Sequence, residues 1–337
     1  MTAMETSLLD DVHYVSDLGD FIVPATLRVV SDLRIADHLR DGPRKVTELA
    51  ELTGAHPRAL LRALRVLAAR GIFRETDPEN FELTRRAQLL RGDHPFSLRD
   101  GLTLLSCDVE AFARFDHSVR TNEASFDHVH GEGYWEWMSR HPDESARFDA
   151  TQQGATRLEL RASFAAYDWS ELGSIADIGG GNGAFLAGLL SRYRSLKGCL
   201  FDLPHVVEGA PRILDKAGVT ERCEIRGGSF FEAVPAGYDA YLMKRILYSW
   251  PDDKVRAVLR TVRAAMREDS RMLLIEPMET PGNAREPGKV YDLLMLALGG
   301  GSARSEDHLA ALFDEAGLRL ERVVPTLMYP IVEARPR

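Results

Sequence analysis

Cysteine is scarce in this sequence: Cys107, Cys199 and Cys223 are the only three in 337 residues. They form neither a CxxC pair nor a regular framework, which excludes a disulfide-stapled scaffold and leaves buried free thiols as the expectation. No apolar run approaches the roughly 18 residues that a membrane helix needs, and Met1 to Asp11 lacks the basic-then-apolar order of a secretory signal. A cytoplasmic protein with no membrane partner is expected. A basic excess is also missing. Lys and Arg number 42 against 51 Asp and Glu, a net charge of −9, which argues against general affinity for nucleic acid or anionic lipid. There is no internal repeat and no low-complexity linker.

What the chain does have is a glycine-rich turn, Gly179-Gly180-Gly181-Asn182-Gly183, between a short apolar stretch, Ser174 to Ile178, and an apolar-periodic segment, Ala184 to Leu190. Strand, turn and helix start follow from the change of period. Glycines there allow positive φ and close approach of a ligand, and the helix start presents unpaired N–H groups. Such a loop holds a nucleotide-like cofactor. Gly179-x-Gly181-x-x-Ala184 satisfies the dinucleotide pattern, whereas Gly179-x-Gly181-x-Gly183 satisfies the shorter pattern of S-adenosylmethionine (SAM) sites. Asp202, at the end of the next apolar stretch, suits ribose hydroxyls in either case.

Before this loop the pattern is helical. A run from Pro24 through Leu33, Ile35, Ala36 and Leu39 has helical spacing; Val46 to Thr53 reads as a short helix closed by Gly54, and His56 to Leu67 as another, ended by Gly71. Ile72 to Glu75 and Asn80 to Thr84 complete a hairpin wing. Arg58, Arg62 and Arg65 would suit a DNA reader. Residues 1–100, however, carry 14 Lys and Arg against 16 Asp and Glu, and a DNA reader should present a basic face. Dimerisation is the preferred role, with a winged-helix regulator as the remote alternative. From about Asp108 to Trp169 a helical connector is rich in aromatic residues, expected to be mainly inter-domain core with a minority lining an acceptor pocket. His128 and His130 lack an obvious third ligand, so no metal is expected there.

From Ser174 onward strand and helix alternate: Gly198 to Asp202, Cys223 to Arg226, Ala240 to Lys244 and Met272 to Glu276 as strands, Lys254 to Met266 as a crossover helix, then helix Glu306 to Ala316 and strands Leu318 to Val324 and Met328 to Glu333. This predicts an open, mostly parallel α/β sheet with its ligand at the strands' C-terminal ends.

Several stretches together resemble the SAM-dependent O-methyltransferases of the plant caffeate and bacterial natural-product type (polyketide, anthracycline). They are Tyr167-Asp168-Trp169, Asp177 to Gly183, Phe201-Asp202-Leu203-Pro204, Gly228-Ser229-Phe230-Phe231, Leu242 to Pro251 and Gly299 to Ser305. The resemblance covers nearly the whole chain. It implies an α/β fold: a Rossmann-like SAM-binding methyltransferase domain at 171–337, preceded by a mostly α, winged-helix dimerisation domain at 1–102 and a helical connector at 103–170 that contributes to the acceptor pocket. It also implies a homodimer formed through the N-terminal domain, and SAM as cofactor. Carried over by position, it implies that Gly179, Gly181 and Gly183 approach the amino-acid part of SAM, that Asp202 with Leu203 holds the ribose, that Ser229 and Phe230 face the adenine, and that Lys244 and Trp250 complete the cofactor site. Trp135, Gln152 and Met295 fall at acceptor positions.

The departures are informative. Relatives carry a general-base histidine in a Leu-His-Asp-Trp stretch; here it reads Leu247-Tyr248-Ser249-Trp250. Glu276 matches one carboxylate flanking that histidine, and Ala303 takes the place of the other. With Tyr248 and Glu276 as the catalytic candidates, methyl transfer to a small aromatic or polyketide-like acceptor would run by proximity and orientation. The alternatives are C- or N-methyl transfer, or use of SAM without methyl transfer in decarboxylating, hydroxylating or pericyclic chemistry.

Overall fold

The computed structural model describes residues 3–102 and 105–337. They divide into two compact units: Met1–Leu105 with Ala146–Ala155, and Ser106–Ser145 with Thr156–Arg337. The sequence boundary at 102/103 abuts residues 103–104, which lie outside the described set.

In the N-terminal unit, strands β1 (Arg44–Lys45), β2 (Phe73–Asp77) and β3 (Asn80–Leu83) form a sheet of order β1-β3-β2, so the wing has a third, very short strand beyond the expected hairpin. Helix Val46–Thr53 ends at Gly54, whose φ of 68° lies in the left-handed region that glycine tolerates. Helix Pro57–Ala69 begins with proline, where the missing N–H costs nothing. The long apolar run expected from Pro24 to Leu39 breaks in two, Ile22–Asp32 and Ile35–His38, at Arg34 with φ 56°. At about 100° per residue, a straight helix would set Val30 and Leu39 on opposite faces. The break lets Val30, Ile35, Ala36 and Leu39 share one core with Leu49, Leu64, Phe73 and Phe81. Arg65, one of the three arginines that suggested DNA, is held by Glu75 of the wing at 2.8 Å.

The second unit carries the seven-stranded sheet: β4 (Ser174–Ile178), β5 (Lys197–Asp202), β6 (Cys223–Gly227), β7 (Ala240–Lys244), β8 (Arg271–Ile275), β9 (Leu318–Val324) and β10 (Ile331–Pro336). Their order is β6-β5-β4-β7-β8-β10-β9, parallel from β6 to β8, with β10 antiparallel to both neighbours. Both faces are covered, which is why the parallel strands read as apolar runs. Along β7, Tyr241 and Met243 pack toward helices Asp252–Ala265 and Glu306–Glu315, while Ala240 and Leu242 pack toward helix Ala184–Arg192. The last strand starts three residues later than Met328 because Thr326 ties Tyr329 and Met328 into a turn (2.8 and 2.9 Å) and Pro330 has no N–H to offer a ladder. The strand order reverses between β4 and β7, and a crevice opens at such a switch point.

Candidate functional site

Gly179, Gly181 and Gly183 all have φ between 60 and 80°, a region costly for any side chain. The turn is tied down by the Gly179 N–H donating to the Phe201 carbonyl at 2.8 Å and the Gly181 N–H donating to Asp202 Oδ2 at 2.8 Å. The Leu203 N–H donates to Asp202 Oδ1 at 2.7 Å. Asp202, at the C-terminal end of β5, therefore organises both loops, while each of its oxygens keeps acceptor capacity for a ligand hydroxyl. Burial raises its carboxyl above the ordinary value, against the pull of those two N–H groups. A Cβ on Gly181 would meet open space, so this side of the loop leaves room for a ligand.

Behind the loop, Asp177 is 1% exposed, and neither of its carboxylate oxygens has a hydrogen-bond partner among the described residues. Burial pushes it up to about 7, opposed by Lys244 and reinforced by Asp202. A buried carboxylate without a partner is costly, so this position fits a ligand that brings a cation. Lys244, at the end of β7, is committed to the protein: Nζ donates to Glu159 Oε2 at 2.7 Å and lies 5.6 Å from the centre of the Phe185 ring. Phe230 and Trp250, half-buried, stand with Phe231 as a three-ring wall, Trp250 edge-on to both at 6.3 and 5.1 Å. Ser229 Oγ accepts from the Phe231 N–H at 3.3 Å, and Leu203 is exposed at the rim.

The turn Leu247–Ser249 is fixed from two sides. Glu276, 2% exposed, accepts from the Leu247 and Tyr248 N–H groups at 3.1 and 3.3 Å. Arg304, 2% exposed, donates to the Leu247 and Trp250 carbonyls at 3.0 and 2.7 Å and to Asp252 at 2.9 Å. Gly301 must be glycine here, because a Cβ would collide with the Tyr248 carbonyl. Glu276 thus grips the backbone that carries Tyr248, and burial lifts its carboxyl to about 7 in spite of Arg304. The Tyr248 side chain is itself buried. Burial raises its phenol above the usual value, and the positive charge of Arg245 pulls the other way. At neutral pH it is a protonated donor, not a base.

Met295 sits on helix Pro287–Leu298, the helix that carries Tyr291, whose ring meets that of Tyr248 edge-on at 6.2 Å. The site residues that the second unit brings together are therefore the three glycines, Asp202, Leu203, Ser229, Phe230, Lys244, Trp250, Tyr248 and Glu276, with Met295 nearby through Tyr291. Trp135 is 48% exposed, edge-on to Tyr134 at 5.2 Å. Gln152 belongs to the segment that clusters with the N-terminal unit. Asp177, Glu159, Arg245 and Arg304 were not singled out from the sequence. For Asp177, Glu159 and Arg245 the signal is a charged residue within or against an apolar stretch; Arg304 lies in the Gly- and Ser-rich stretch 299–305 and has no such signal.

Fold and loop define a SAM-binding α/β enzyme. The O-methyltransferase domain model matches residues 112–319 and the O-methyltransferase dimerisation domain model residues 16–93. The phenazine O-methyltransferase PhzM of Lysobacter antibioticus is 38% identical, with 93% of each chain covered. The aclacinomycin 10-hydroxylase RdmB of Streptomyces purpurascens is 32% identical over 91% of this chain and 84% of its own. The crystal structure of NcsB1, an O-methyltransferase from neocarzinostatin biosynthesis in complex with SAM and 2-hydroxy-5-methyl naphthoic acid, superposes with a TM-score of 0.79 at 33% identity, covering 95% of this chain and 98% of that one. The chain belongs to the SAM-dependent O-methyltransferase family, with SAM as its cofactor. No helix among the described residues is long and apolar enough to cross a membrane.

Proposed function

We propose that this chain transfers the methyl group of SAM to an oxygen of a small aromatic natural-product intermediate without a side-chain base. The observation that carries this reading is Tyr248, a buried neutral phenol where the family places its base, with Glu276 turned to the backbone. Losing a positioned base costs roughly 10²–10⁴-fold; orientation and exclusion of water can contribute about 7–11 kcal/mol. Bound SAM supplies a methyl group already activated by its sulfonium. The protein's part is to hold both reactants in line and dry. In this reading Asp202 takes the ribose hydroxyls, the Phe230 and Trp250 rings flank the adenine beside Ser229 and Leu203, the glycine turn and Asp177 receive the amino-acid end, and Lys244 holds the floor through Glu159. Trp135 and Met295 would meet the acceptor.

A second reading, SAM used without methyl transfer, is favoured by the missing histidine together with the 10-hydroxylase among the relatives. Purified protein with SAM and a panel of phenolic and carboxylic aromatics decides between them. S-adenosylhomocysteine formed in equal amount with an acceptor heavier by a CH2 is the expected result; product that needs SAM without consuming it would establish the second reading. The protein should run as a homodimer in that assay. Leu18, Ile22 and Val29 on the N-terminal helices and Phe21 just before the second of them are exposed, Phe21 at 79%, and a groove of about 320 Å³ opens beside Phe21 and Val29. A patch of this kind marks an interface, and a monomer by light scattering counts against it.

SAM binding should also depend on pH. Asp177, with Lys244 and Asp202 as the charged groups facing it, is protonated in the ligand-free protein below about pH 7. Its raised value means the free protein loses stability as pH rises through that point, and a cationic ligand that pairs with the carboxylate restores it. Below about pH 7 binding must expel a proton, so affinity should fall by up to about tenfold per pH unit. Calorimetry between about pH 5 and 8 should show this slope, and Asp177→Asn should flatten it. A flat profile in the native protein removes Asp177 from the ammonium end.

A further inference from the structure

Asp252 and His308 stand apart from the glycine loop and from the Tyr248 side chain, yet both reach the turn that carries Tyr248 through one guanidinium. Arg304 Nε donates to Asp252 Oδ1 at 2.9 Å, Nη1 to the Leu247 and Ser302 carbonyls at 3.0 and 3.3 Å, and Nη2 to the Trp250 carbonyl at 2.7 Å. The other carboxylate oxygen of Asp252, Oδ2, lies 2.8 Å from His308 Nε2. An ionised carboxylate only accepts, so Nε2 carries the proton of that bond. Burial raises the Asp252 carboxyl, but the bonds from Arg304 and His308 take it below the ordinary value, which keeps it ionised at neutral pH. Both partners are set by their own elements. Asp252 opens helix Asp252–Ala265 behind Pro251. His308 lies in the first turn of helix Glu306–Glu315, where its N–H donates to the capping Ser305 Oγ at 3.3 Å. A carboxylate at a helix start has a competing use, the free N–H groups of its own helix. With Oδ1 on Arg304 and Oδ2 on His308, both oxygens of Asp252 are engaged elsewhere.

We infer that Asp252 and His308 are positioning residues: they orient Arg304 so that it fixes the register between Tyr248, against the acceptor, and Trp250, against the cofactor. This rests on the proposed placement of those two rings. Arg304 bonds carbonyls on both sides of Tyr248, those of Leu247 and Trp250, while Glu276 grips the same turn through the Leu247 and Tyr248 N–H groups. The turn is therefore held between a buried guanidinium and a buried carboxyl. Gly301 backs the Tyr248 carbonyl so closely that the turn cannot shift toward the 299–305 stretch. The remaining freedom is the direction of the long Arg304 side chain, and the Asp252 carboxylate, paired with it at 2.8 Å, sets that direction. A planar guanidinium presents its donors in a fixed fork. Tilted by the loss of its carboxylate, it would release the Leu247 or the Trp250 carbonyl. Trp250 stands edge-on to Phe230 and Phe231 at 6.3 and 5.1 Å, so a shift at its backbone displaces the wall given to the adenine. Methyl transfer that runs by orientation is sensitive to such a shift, since a misplacement of about 1 Å can cost on the order of 10²-fold. Neither residue touches a reacting atom; both act through Arg304.

Geometry and turnover are measured separately on the full-length protein. Labelled with fluorotyrosine and isotope-enriched tryptophan and saturated with S-adenosylhomocysteine, it gives a fluorine resonance for Tyr248 and an indole N–H resonance for Trp250. Each is assigned by its loss in Tyr248→Phe and Trp250→Phe. Asp252→Asn, which keeps the shape and removes the charge, and His308→Ala, at the surface, should move both resonances. Affinity for S-adenosylhomocysteine should change little, because the ribose at Asp202 is untouched. With the acceptor that the aromatic panel yields, kcat should fall about 10- to 100-fold in Asp252→Asn and by less in His308→Ala, with KM for both substrates near native. His308→Gln, whose amide still donates, should return most of the loss. A lower thermal midpoint with both resonances and kcat at native values makes the assembly a staple between two helices and overturns the inference. So does a loss confined to KM, or a His308→Gln variant no better than His308→Ala. Absence of S-adenosylhomocysteine formation from every acceptor is the separate failure of the methyl-transfer reading, and the two resonances still decide whether Asp252 and His308 set the register.

Discussion

Replacing Asp202 with alanine is expected to weaken SAM binding by about 10²–10⁴-fold, since hydrogen bonds to a charged acceptor contribute roughly 1.5–3 kcal/mol each and two ribose hydroxyls would be lost. The effect should exceed that of any other single change in the cofactor site, because Asp202 has two tasks. Its Oδ2 holds the Gly181 N–H and its Oδ1 the Leu203 N–H, so the alanine variant also frees the two loops that must meet the ligand. Asp202→Asn separates the tasks. An amide keeps one acceptor oxygen and gains donors, so it should hold one loop and lose an intermediate amount of affinity. Calorimetry with SAM and with S-adenosylhomocysteine, on variants whose circular dichroism matches the native protein, measures both. Native affinity in the alanine variant would remove Asp202 from the ribose.

That residue also shows what local sequence makes legible. Asp202 closes an apolar strand a fixed distance beyond a glycine turn, and the five parallel strands announce themselves as apolar runs because both of their faces are covered. Glycines that need positive φ are likewise visible as glycines. The arrangement around Tyr248 is not of this kind. Glu159 reaches Lys244 across 85 residues of sequence and Arg245 across 86, and no periodicity encodes a pairing between a helix in the connector and the tip of a strand. Arg245 breaks the local rule outright, a non-glycine residue in left-handed geometry. Such departures concentrate at functional sites. The break at Arg34 was hidden for a related reason: helical spacing persists through it, and only packing against Phe73 and Phe81 decides that the helix must turn. Glu276 could be located from the sequence as a carboxylate near the site, whereas its hold on the backbone N–H groups depends on where the Leu247–Ser249 turn lies.

Glu159→Gln should be the most destabilising conservative change in the site. The Glu159 carboxylate has no exposed surface and sits between Lys244 Nζ at 2.7 Å and Arg245 Nη1 at 3.1 Å. Burial raises its carboxyl, and the two cations pull it further the other way, leaving it below the ordinary carboxylate value. With that sign, its contribution is present above the unfolded value and is lost as pH falls through the folded one. Removing the charge strands two buried cations. Lys244 can shed its proton, a direction in which burial already pushes it; Arg245 cannot, because a guanidinium stays charged in proteins. Breaking a buried pair in this way costs about 3–5 kcal/mol, a fall in thermal midpoint on the order of 10 °C. Adding Arg245→Gln to Glu159→Gln removes the stranded charge and should return part of the lost stability, a coupling that a double-mutant cycle reads directly. If the two single losses simply add in the double variant, Glu159 and Arg245 do not act as a pair.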